Sequence, residues 1–199
     1  MLFFKPRLLD PDEVKQGDII GFVGNGLISA GISLATWGIP WYSVSHIGIM
    51  GRWRGRNYLF ESTALDDEPC AIRKQSFAGT KAKNLRDRVA AYHGKVWHYP
   101  LTRPLYNFEK KRLNEFLLGT LGLPYDTIGA FRAGGISWSW LESRLRDQDL
   151  HAIFCSEWCS AAHTNIGIFH TDNVSRWSPN RFVLAERRLG ILGKPRRLK

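Results

Sequence analysis

A candidate nucleophile lies near the C-terminal end of the chain, in the sequence Phe-Cys-Ser-Glu-Trp-Cys of residues 154–159. A thiol attacks only as the thiolate, and its usual pKa of about 8.5 falls at a helix N-terminus or beside a histidine. Residues 152–163 are predicted to form a helix that begins close to Cys155, so unpaired backbone N–H groups would lie near its sulfur. Cys155 is therefore the candidate nucleophile. The alternative is that it is a small buried apolar residue.

Cys159 and His163 follow Cys155 at intervals of four residues, which places all three side chains on one face of that helix. Such a stripe could be part of a metal site. Along a straight helix the three residues span about 12 Å, whereas one zinc ion needs ligands at about 2.0–2.3 Å. Two of them could bind a metal only with ligands from elsewhere. We expect no metal and no organic cofactor, and we expect Cys159 and His163 to pack against the sheet.

A thiolate needs a base, and the chain has six histidines. His46 differs from the others because it begins an apolar strand, whose rigid backbone can present an imidazole to a cleft, and Gly48 leaves room beside it. Glu61 ends the neighbouring strand, where a carboxylate can hydrogen-bond the second ring nitrogen and fix the tautomer. The alternatives are a structural histidine and an exposed carboxylate at a strand end. A Cys-His-Glu site is thus chemically possible but not required by these residues alone.

The elements that must position these residues follow from the apolar pattern and the turn signals. Strands are predicted at residues 19–23, 45–50, 57–61 and 96–101, and helices at residues 27–37, 107–121, 138–146 and 152–163. Residues 63–87 have no clean period and are predicted to be irregular. Asn107 is expected to cap its helix. This order of elements, with the cysteine-bearing helix last, indicates an α+β domain with a mostly antiparallel sheet.

Length and composition indicate a folded chain with an anionic partner. The 199 residues fit a single domain, with a core at residues 15–185, an extension at 1–14 and a basic C-terminal tail at 186–199. A hydrophobic content of 44% and an aromatic content of 13% argue against disorder. The net charge of +10 favours nucleic acid, phospholipid headgroups or an acidic cell-wall polymer as partner. The three cysteines are an odd number, which favours reduced thiols.

The sequence shows no transmembrane segment and no export signal. No apolar run reaches the roughly 18–20 residues that a bilayer requires. The apolar part of the N-terminus is too short for a signal peptide. We therefore expect a protein that is cytoplasmic as synthesised, and that acts outside the cell only if it is injected or released by lysis.

Five short sequence motifs include these residues or lie near them, and both their residues and their order along the chain can be compared with known families. They are Gly-Asp-Ile-Ile at 17–20, Ser-His-Ile-Gly-Ile at 45–49, Leu-Phe-Glu-Ser at 59–62, Gly-Leu-Pro-Tyr-Asp at 122–126 and Phe-Cys-Ser-Glu at 154–157. Together they resemble the permuted branch of the NlpC superfamily of papain-like hydrolases, which includes YiiX-like bacterial proteins and the lecithin-retinol acyltransferase group. The histidine precedes the cysteine, as in the permuted members. Trp158 and Cys159 depart from the pattern, which has aliphatic residues after the cysteine.

The resemblance implies a papain-like fold of the circularly permuted type, in which an antiparallel sheet packs against helices and the nucleophile lies at a helix N-terminus. It implies that Cys155 is the nucleophile, His46 the base and Glu61 the residue that orients it. The backbone N–H of Cys155, with the Tyr125 hydroxyl, would stabilise the oxyanion; Tyr125 could equally fix the turn after Pro124. Asp18 is expected to cap a turn, and residues 178–180 to form a loop that lines one side of the cleft.

The function expected from these observations is cysteine-dependent cleavage of an amide bond through a thioester, with a cell-wall peptide as the first substrate class. A lipid-directed thioesterase, phospholipase or acyltransferase is the alternative enzyme, since Trp37, Trp41 and Trp53 could form a membrane-facing rim. A non-catalytic basic module is the alternative of another class. Its basis is the interleaved Arg52, Trp53 and Arg54, but no recognised nucleic-acid motif is present, so nucleic acid is not the expected partner.

Overall fold

The computed structural model describes residues 8–24, 44–63, 68–122, 147–171 and 177–199, which form a mixed α+β fold. In chain order its strands and helices are β1 (Ile19–Gly24), β2 (His46–Trp53), β3 (Arg56–Thr63), β4 (Gly79–Lys83), α1 (Leu85–Ala91), β5 (Gly94–Tyr99), α2 (Asn107–Gly119), α3 (Asp147–Asn165), α4 (Pro179–Arg188) and β6 (Arg196–Arg197). The strands form one antiparallel sheet in the order β4-β3-β2-β1-β5-β6. The predicted α+β class with a mostly antiparallel sheet is confirmed.

Both faces of the sheet are covered, which explains why its central strands are continuous apolar runs. On one face, Ile47, Ile49 and Phe60 belong to a buried cluster with residues of α2, α3 and α4. On the other face, Ile20 and Phe22 belong to a second cluster with residues of α1 and the C-terminal segment. None of the helices within the described ranges is long and apolar enough to cross a membrane.

The cysteine-bearing helix α3 begins earlier than the sequence predicts. It starts at Asp147, eight residues before Cys155, instead of close to the cysteine. Residues 147–154 contain neither glycine nor proline, so no breaker separates them from the apolar segment that follows. In the interior of an α-helix each N–H donates to the carbonyl four residues earlier. The prediction that Cys155 lies at a helix N-terminus, with its backbone N–H free for an oxyanion, is therefore wrong.

Residues 63–87 are not irregular throughout, because β4 and α1 both begin within them. Lys81 and Lys83 are buried in β4, so the strand lacks the apolar alternation by which strands are predicted. α1 is only seven residues long, and Asn84 caps it by accepting from the backbone N–H groups of Arg86 and Asp87. The capping asparagine was the available signal for this helix.

Residues 178–180 form the start of α4 and not a loop. The Ser178 hydroxyl accepts a hydrogen bond from the Arg181 backbone N–H at 3.4 Å, and Pro179 occupies the first turn. Serine before proline at a helix start is a favoured arrangement, since proline has no N–H to leave unpaired there. At α2, Tyr106 instead of Asn107 is the N-cap, and the Glu109 carboxylate accepts a hydrogen bond from the Tyr106 backbone N–H at 2.7 Å.

The basic C-terminal segment 186–199 is packed into the fold instead of extending as a tail. Leu198 is buried, and the Lys199 ammonium donates to carbonyl oxygens of residues 89, 90 and 92 at the end of α1. A cation at the C-terminal end of a helix satisfies carbonyls that have no partner within the helix. A single domain stays a prediction. The helices predicted at residues 27–37 and 138–146 lie outside the described residues.

We predict that Gly51→Ala destabilises the protein by about 1–3 kcal/mol, because overpacking a closed core costs this much. A Cβ at Gly51 would lie 2.5 Å from Leu117 Cδ1 and 2.6 Å from Phe60 Cε2. Gly119→Ala is the matched control, since nothing lies within 4 Å of a Cβ there. Denaturant unfolding of both variants measures the difference. Equal midpoints would show that β2 and α2 do not pack as described.

Candidate functional site

His46 and Glu61 face each other across two neighbouring strands. His46 is the first residue of β2, and Glu61 pairs directly with Gly48 two residues further along that strand. The imidazole Nε2 lies 2.8 Å from Glu61 Oε2. A Cβ at Gly48 would lie 2.7 Å from Leu59 Cδ1 and 2.8 Å from the Phe60 carbonyl oxygen. Glycine at this position is therefore needed for the close packing beside the pair.

Cys155 completes the group from helix α3. Its side chain is fully buried and hydrogen-bonds the imidazole of His46. Because Nε2 faces Glu61, Nδ1 is the ring nitrogen left for the thiol. The structure thus brings the three residues predicted from sequence into one chain of contacts, from thiol to imidazole to carboxylate.

The imidazole of His46 is strongly biased towards its charged form. Burial alone would lower its pKa, but the negative charge and hydrogen bond of Cys155, followed by those of Glu61, raise the pKa to about 9. About a fifth of the side chain remains exposed, at 21%. An imidazolium persists at neutral pH in this setting, and it stabilises a neighbouring thiolate. The arrangement therefore places a charged imidazole beside the buried sulfur of Cys155.

Glu61 is fully buried and is nonetheless held as an anion. Burial alone would raise its pKa, but the hydrogen bond and charge of His46 and the charges of Arg88 and Lys83 outweigh it and hold the pKa well below the usual range. Oε1 accepts from Arg88 Nε at 2.9 Å and lies 3.4 Å from Lys83 Nζ. The two carboxylate oxygens thus have separate partners, His46 on one and the two cations on the other.

Arg88 and Lys83 are the site residues that sequence reasoning missed. Lys83 belongs to β4 and Arg88 to α1, the two elements at the end of the segment predicted to be irregular. The Arg88 guanidinium also lies over the rings of Phe22 at 4.8 Å and Tyr92 at 5.3 Å, which fixes its direction. Neither residue belongs to a sequence motif that would have singled it out.

The other histidine–carboxylate pairs of the described residues are structural. Asp18 accepts from the backbone N–H groups of Lys15 at 2.8 Å and Leu101 at 2.9 Å, and lies 2.7 Å from His98 Nε2. The predicted turn-capping role of Asp18 is confirmed, and His98 holds it in place.

His163 and Cys159 pack inside the fold, as predicted. The His163 ring lies 2.6 Å from Glu186 Oε1 and 3.1 Å from the Gly17 carbonyl oxygen, so it ties α3 to α4 and to the entry of β1. Cys159 is buried in the same cluster as the sheet residues. Burial, together with the negative charges of Cys155 and Glu186, raises the pKa of the Cys159 thiol well above its usual value.

The remaining predicted residues are not near this group or lie outside the described ranges. Trp53 packs edge-on against Tyr58 at 6.2 Å and carries the Arg54 guanidinium 4.5 Å from its ring centre. It is therefore half-buried within its hairpin. Tyr125, Trp37 and Trp41 lie outside the described residues.

A solved structure with a similar fold is that of yiiX from Escherichia coli O157:H7, which is described as a metalloprotein. The TM-score is 0.50 and the sequence identity 21%, over 92% of this chain and 88% of that chain. The chain has a YiiX-like fold. No protein-family model and no curated protein matches it. Within the described ranges, no three His, Cys, Asp or Glu side chains are grouped so that they could hold a metal ion.

The buried charge of Glu61 predicts a specific acid sensitivity. A carboxylate whose folded-state pKa is depressed contributes stability that is present above its unfolded pKa of about 4.5 and lost as the pH falls below it. We expect the free energy of unfolding of the wild type to fall more steeply below pH 4.5 than that of Glu61→Gln, which cannot titrate. Glu115→Gln, at a carboxylate 63% exposed, is the control. Identical acid slopes for all three proteins would contradict a charged, buried Glu61.

Proposed function

We propose that this protein is a cysteine-dependent hydrolase of the circularly permuted papain-like type, which cleaves an amide bond through a thioester intermediate. Cys155 is the nucleophile, His46 the general base and Glu61 the residue that positions His46. The observation that carries the proposal is the single imidazole that bonds the thiol on one side and a buried carboxylate on the other. This is the arrangement of nucleophile, base and orienting acid that defines catalytic triads on unrelated folds.

The proposed reaction has two stages, which are the formation of a thioester on Cys155 and its hydrolysis by water. The Cys155 proton moves to His46, and the thiolate attacks the carbonyl carbon to give a tetrahedral intermediate. The C–N bond then breaks, the imidazolium of His46 gives its proton to the leaving amine, and a thioester remains. Water attacks the thioester and passes a proton to His46, and the carboxylic acid leaves while the thiolate is restored.

The oxyanion of the tetrahedral intermediate needs donors other than the backbone of Cys155. Residue 155 lies within α3, where its N–H belongs to the helical hydrogen-bond ladder. Tyr125 therefore becomes the principal proposed donor, through its phenolic hydroxyl. Helix ends contribute little to thiolate stability at this position, so the imidazolium of His46 is its main source.

The residues at the site are a poor fit for a resident divalent metal, which the description of the E. coli protein raises. Glu61 already faces two cationic side chains, Arg88 and Lys83, within 3.4 Å of one oxygen. A divalent ion bound to the same carboxylate would be repelled by both of them. The proposed reaction is accordingly derived from the protein's own side chains alone.

A cell-wall peptide is the proposed substrate class. The chain carries a net charge of +10, which favours an anionic polymer that contains amide bonds. A lipid-directed thioesterase, phospholipase or acyltransferase remains the second candidate, because the same thiol chemistry also transfers acyl groups from esters.

We predict that limiting iodoacetamide modifies Cys155 first. At pH 6 an imidazolium-paired thiolate should react at least about tenfold faster than a thiol of ordinary pKa. Cys70 is the internal control, because its side chain is buried to the same extent as that of Cys155. Mass spectrometry of the digest locates the label, and His46→Ala should slow labelling of Cys155 about tenfold. If Cys155 reacts no faster than Cys70 and His46→Ala has no effect, the proposal fails.

We further predict that the protein releases an amine from peptides isolated from bacterial cell walls. Cys155→Ala should lower the rate by at least about a thousandfold, because removal of the attacking atom eliminates the covalent route. Phosphatidylcholine and an acyl thioester serve as alternative substrates. Cleavage of the lipid substrates without cleavage of the peptides would replace the amide proposal by the lipid-directed one.

A further inference from the structure

Three large hydrophobic side chains protrude from one part of the described surface. Tyr106 is 60% exposed and Phe108 58% exposed, and their rings stack at 6.0 Å with only 10° between planes. Leu189, in the turn after α4, is 65% exposed. Single exposed apolar residues are ordinary, but a group of them indicates a surface that binds something.

A shallow cavity with several aliphatic lining residues lies next to these side chains. The cavity is about 260 Å³. Four of its lining residues are aliphatic, Leu101, Leu105, Ile168 and Ile191, and the others are Thr102, Arg103, Gly167 and Gly190. Arg103 lies over the Tyr106 ring at 4.6 Å, and Gly190 directly follows Leu189 in the chain. We call Tyr106, Phe108, Leu189 and this cavity the apolar surface.

Cations surround the apolar surface. Lys111 and Arg112 follow Phe108 at three and four residues, so they share its side of α2. Arg187 and Arg188 immediately precede Leu189, and all four of these side chains are exposed. The carboxylate of Glu109 is neutralised by two contacts with Arg103, at 2.6 and 2.8 Å. Lys111 Nζ lies 3.8 Å from Glu115 Oε1, so Arg112, Arg187 and Arg188 supply the net positive charge beside the apolar surface.

This surface lies away from the proposed catalytic group. Residue 19, at the start of β1, pairs with Tyr99, which leads to the loop that begins at Leu101. His46 pairs with Phe22, three residues further along β1 towards its other end. The apolar surface and His46 are thus associated with opposite ends of the central strand.

We propose that the apolar surface docks the protein on an anionic lipid bilayer, with the aromatic and leucine side chains in the headgroup region and the cations on lipid phosphates. Exposed aromatic and aliphatic side chains with flanking Lys and Arg are the combination that binds such interfaces. A nucleic acid would use the cations and the stacked rings, but it would gain nothing from Leu189 or the aliphatic cavity. A second copy presenting the same face would bring equal positive charges together. The inference goes beyond the proposed hydrolase and does not depend on it.

The test is co-sedimentation of the full chain with vesicles of phosphatidylcholine alone and of phosphatidylcholine mixed with phosphatidylglycerol. We expect binding to the anionic vesicles that weakens with salt. The double variant Phe108→Ser, Leu189→Ser should bind about tenfold or more weakly, because each apolar side chain contributes by burial. Leu8→Ser, at a leucine 52% exposed and outside the apolar surface, should bind as the wild type does.

Charge-reversal variants test whether vesicle binding depends on the cations beside the apolar surface or on the net positive charge of the whole protein. Arg187→Glu with Arg188→Glu should weaken anionic-vesicle binding about tenfold. The same two-charge reversal at Arg54, in the hairpin turn, and Arg56, at the start of β3, should weaken it much less, although both side chains are exposed. Equal losses from both reversals, absence of vesicle binding, or self-association that the Phe108 and Leu189 substitutions abolish would each overturn the proposal. Binding to single-stranded nucleic acid in preference to vesicles would do the same.

Discussion

The rest of the candidate site depends on a carboxylate that is sealed from water and still charged. An isolated buried carboxylate takes up a proton, because the desolvation of its charge is too costly. Glu61 avoids this through contacts with His46, Arg88 and Lys83. These partners come from β2, α1 and β4. Because the buried charge of Glu61 needs all three of them, it constrains the positions of these three elements around β3. Removing any one partner would leave the others with an unbalanced charge in the interior.

In the proposed mechanism, the same requirement makes His46 the group that activates Cys155. A helix N-terminus would have supplied partial positive charge to the sulfur, but the cysteine lies well inside α3. A full imidazolium charge takes its place, and the pKa of His46 near 9 keeps that charge at neutral pH. Under that proposal Arg88 and Lys83 act on the thiol indirectly: they hold Glu61 ionised, and Glu61 holds His46 protonated and oriented.

Sequence reasoning singled out three residues on regular elements that the fold brings into contact. His46 and Glu61 lie on apolar strands whose pattern is clear, and Cys155 lies in a helix. It failed at Lys83 and Arg88, because charged residues buried by mutual pairing look like exposed ones in a sequence. It also placed the start of α3 too late, since a helix extends until something stops it and residues 147–154 contain no breaker.

The separation of the two proposed surfaces bears on which substrate fits. If the apolar surface rests on a bilayer, the end of the sheet that carries His46 is directed away from the lipid. An enzyme that cleaves lipids must bring its nucleophile to the interface, whereas one that cleaves a polymer beside the membrane must hold it at a distance. Docking at the far end of β1 therefore favours an amide in a polymer next to the membrane over an acyl chain within it. Membrane attachment and amide chemistry are then compatible properties of one molecule, and lipid binding alone is no argument for lipid cleavage.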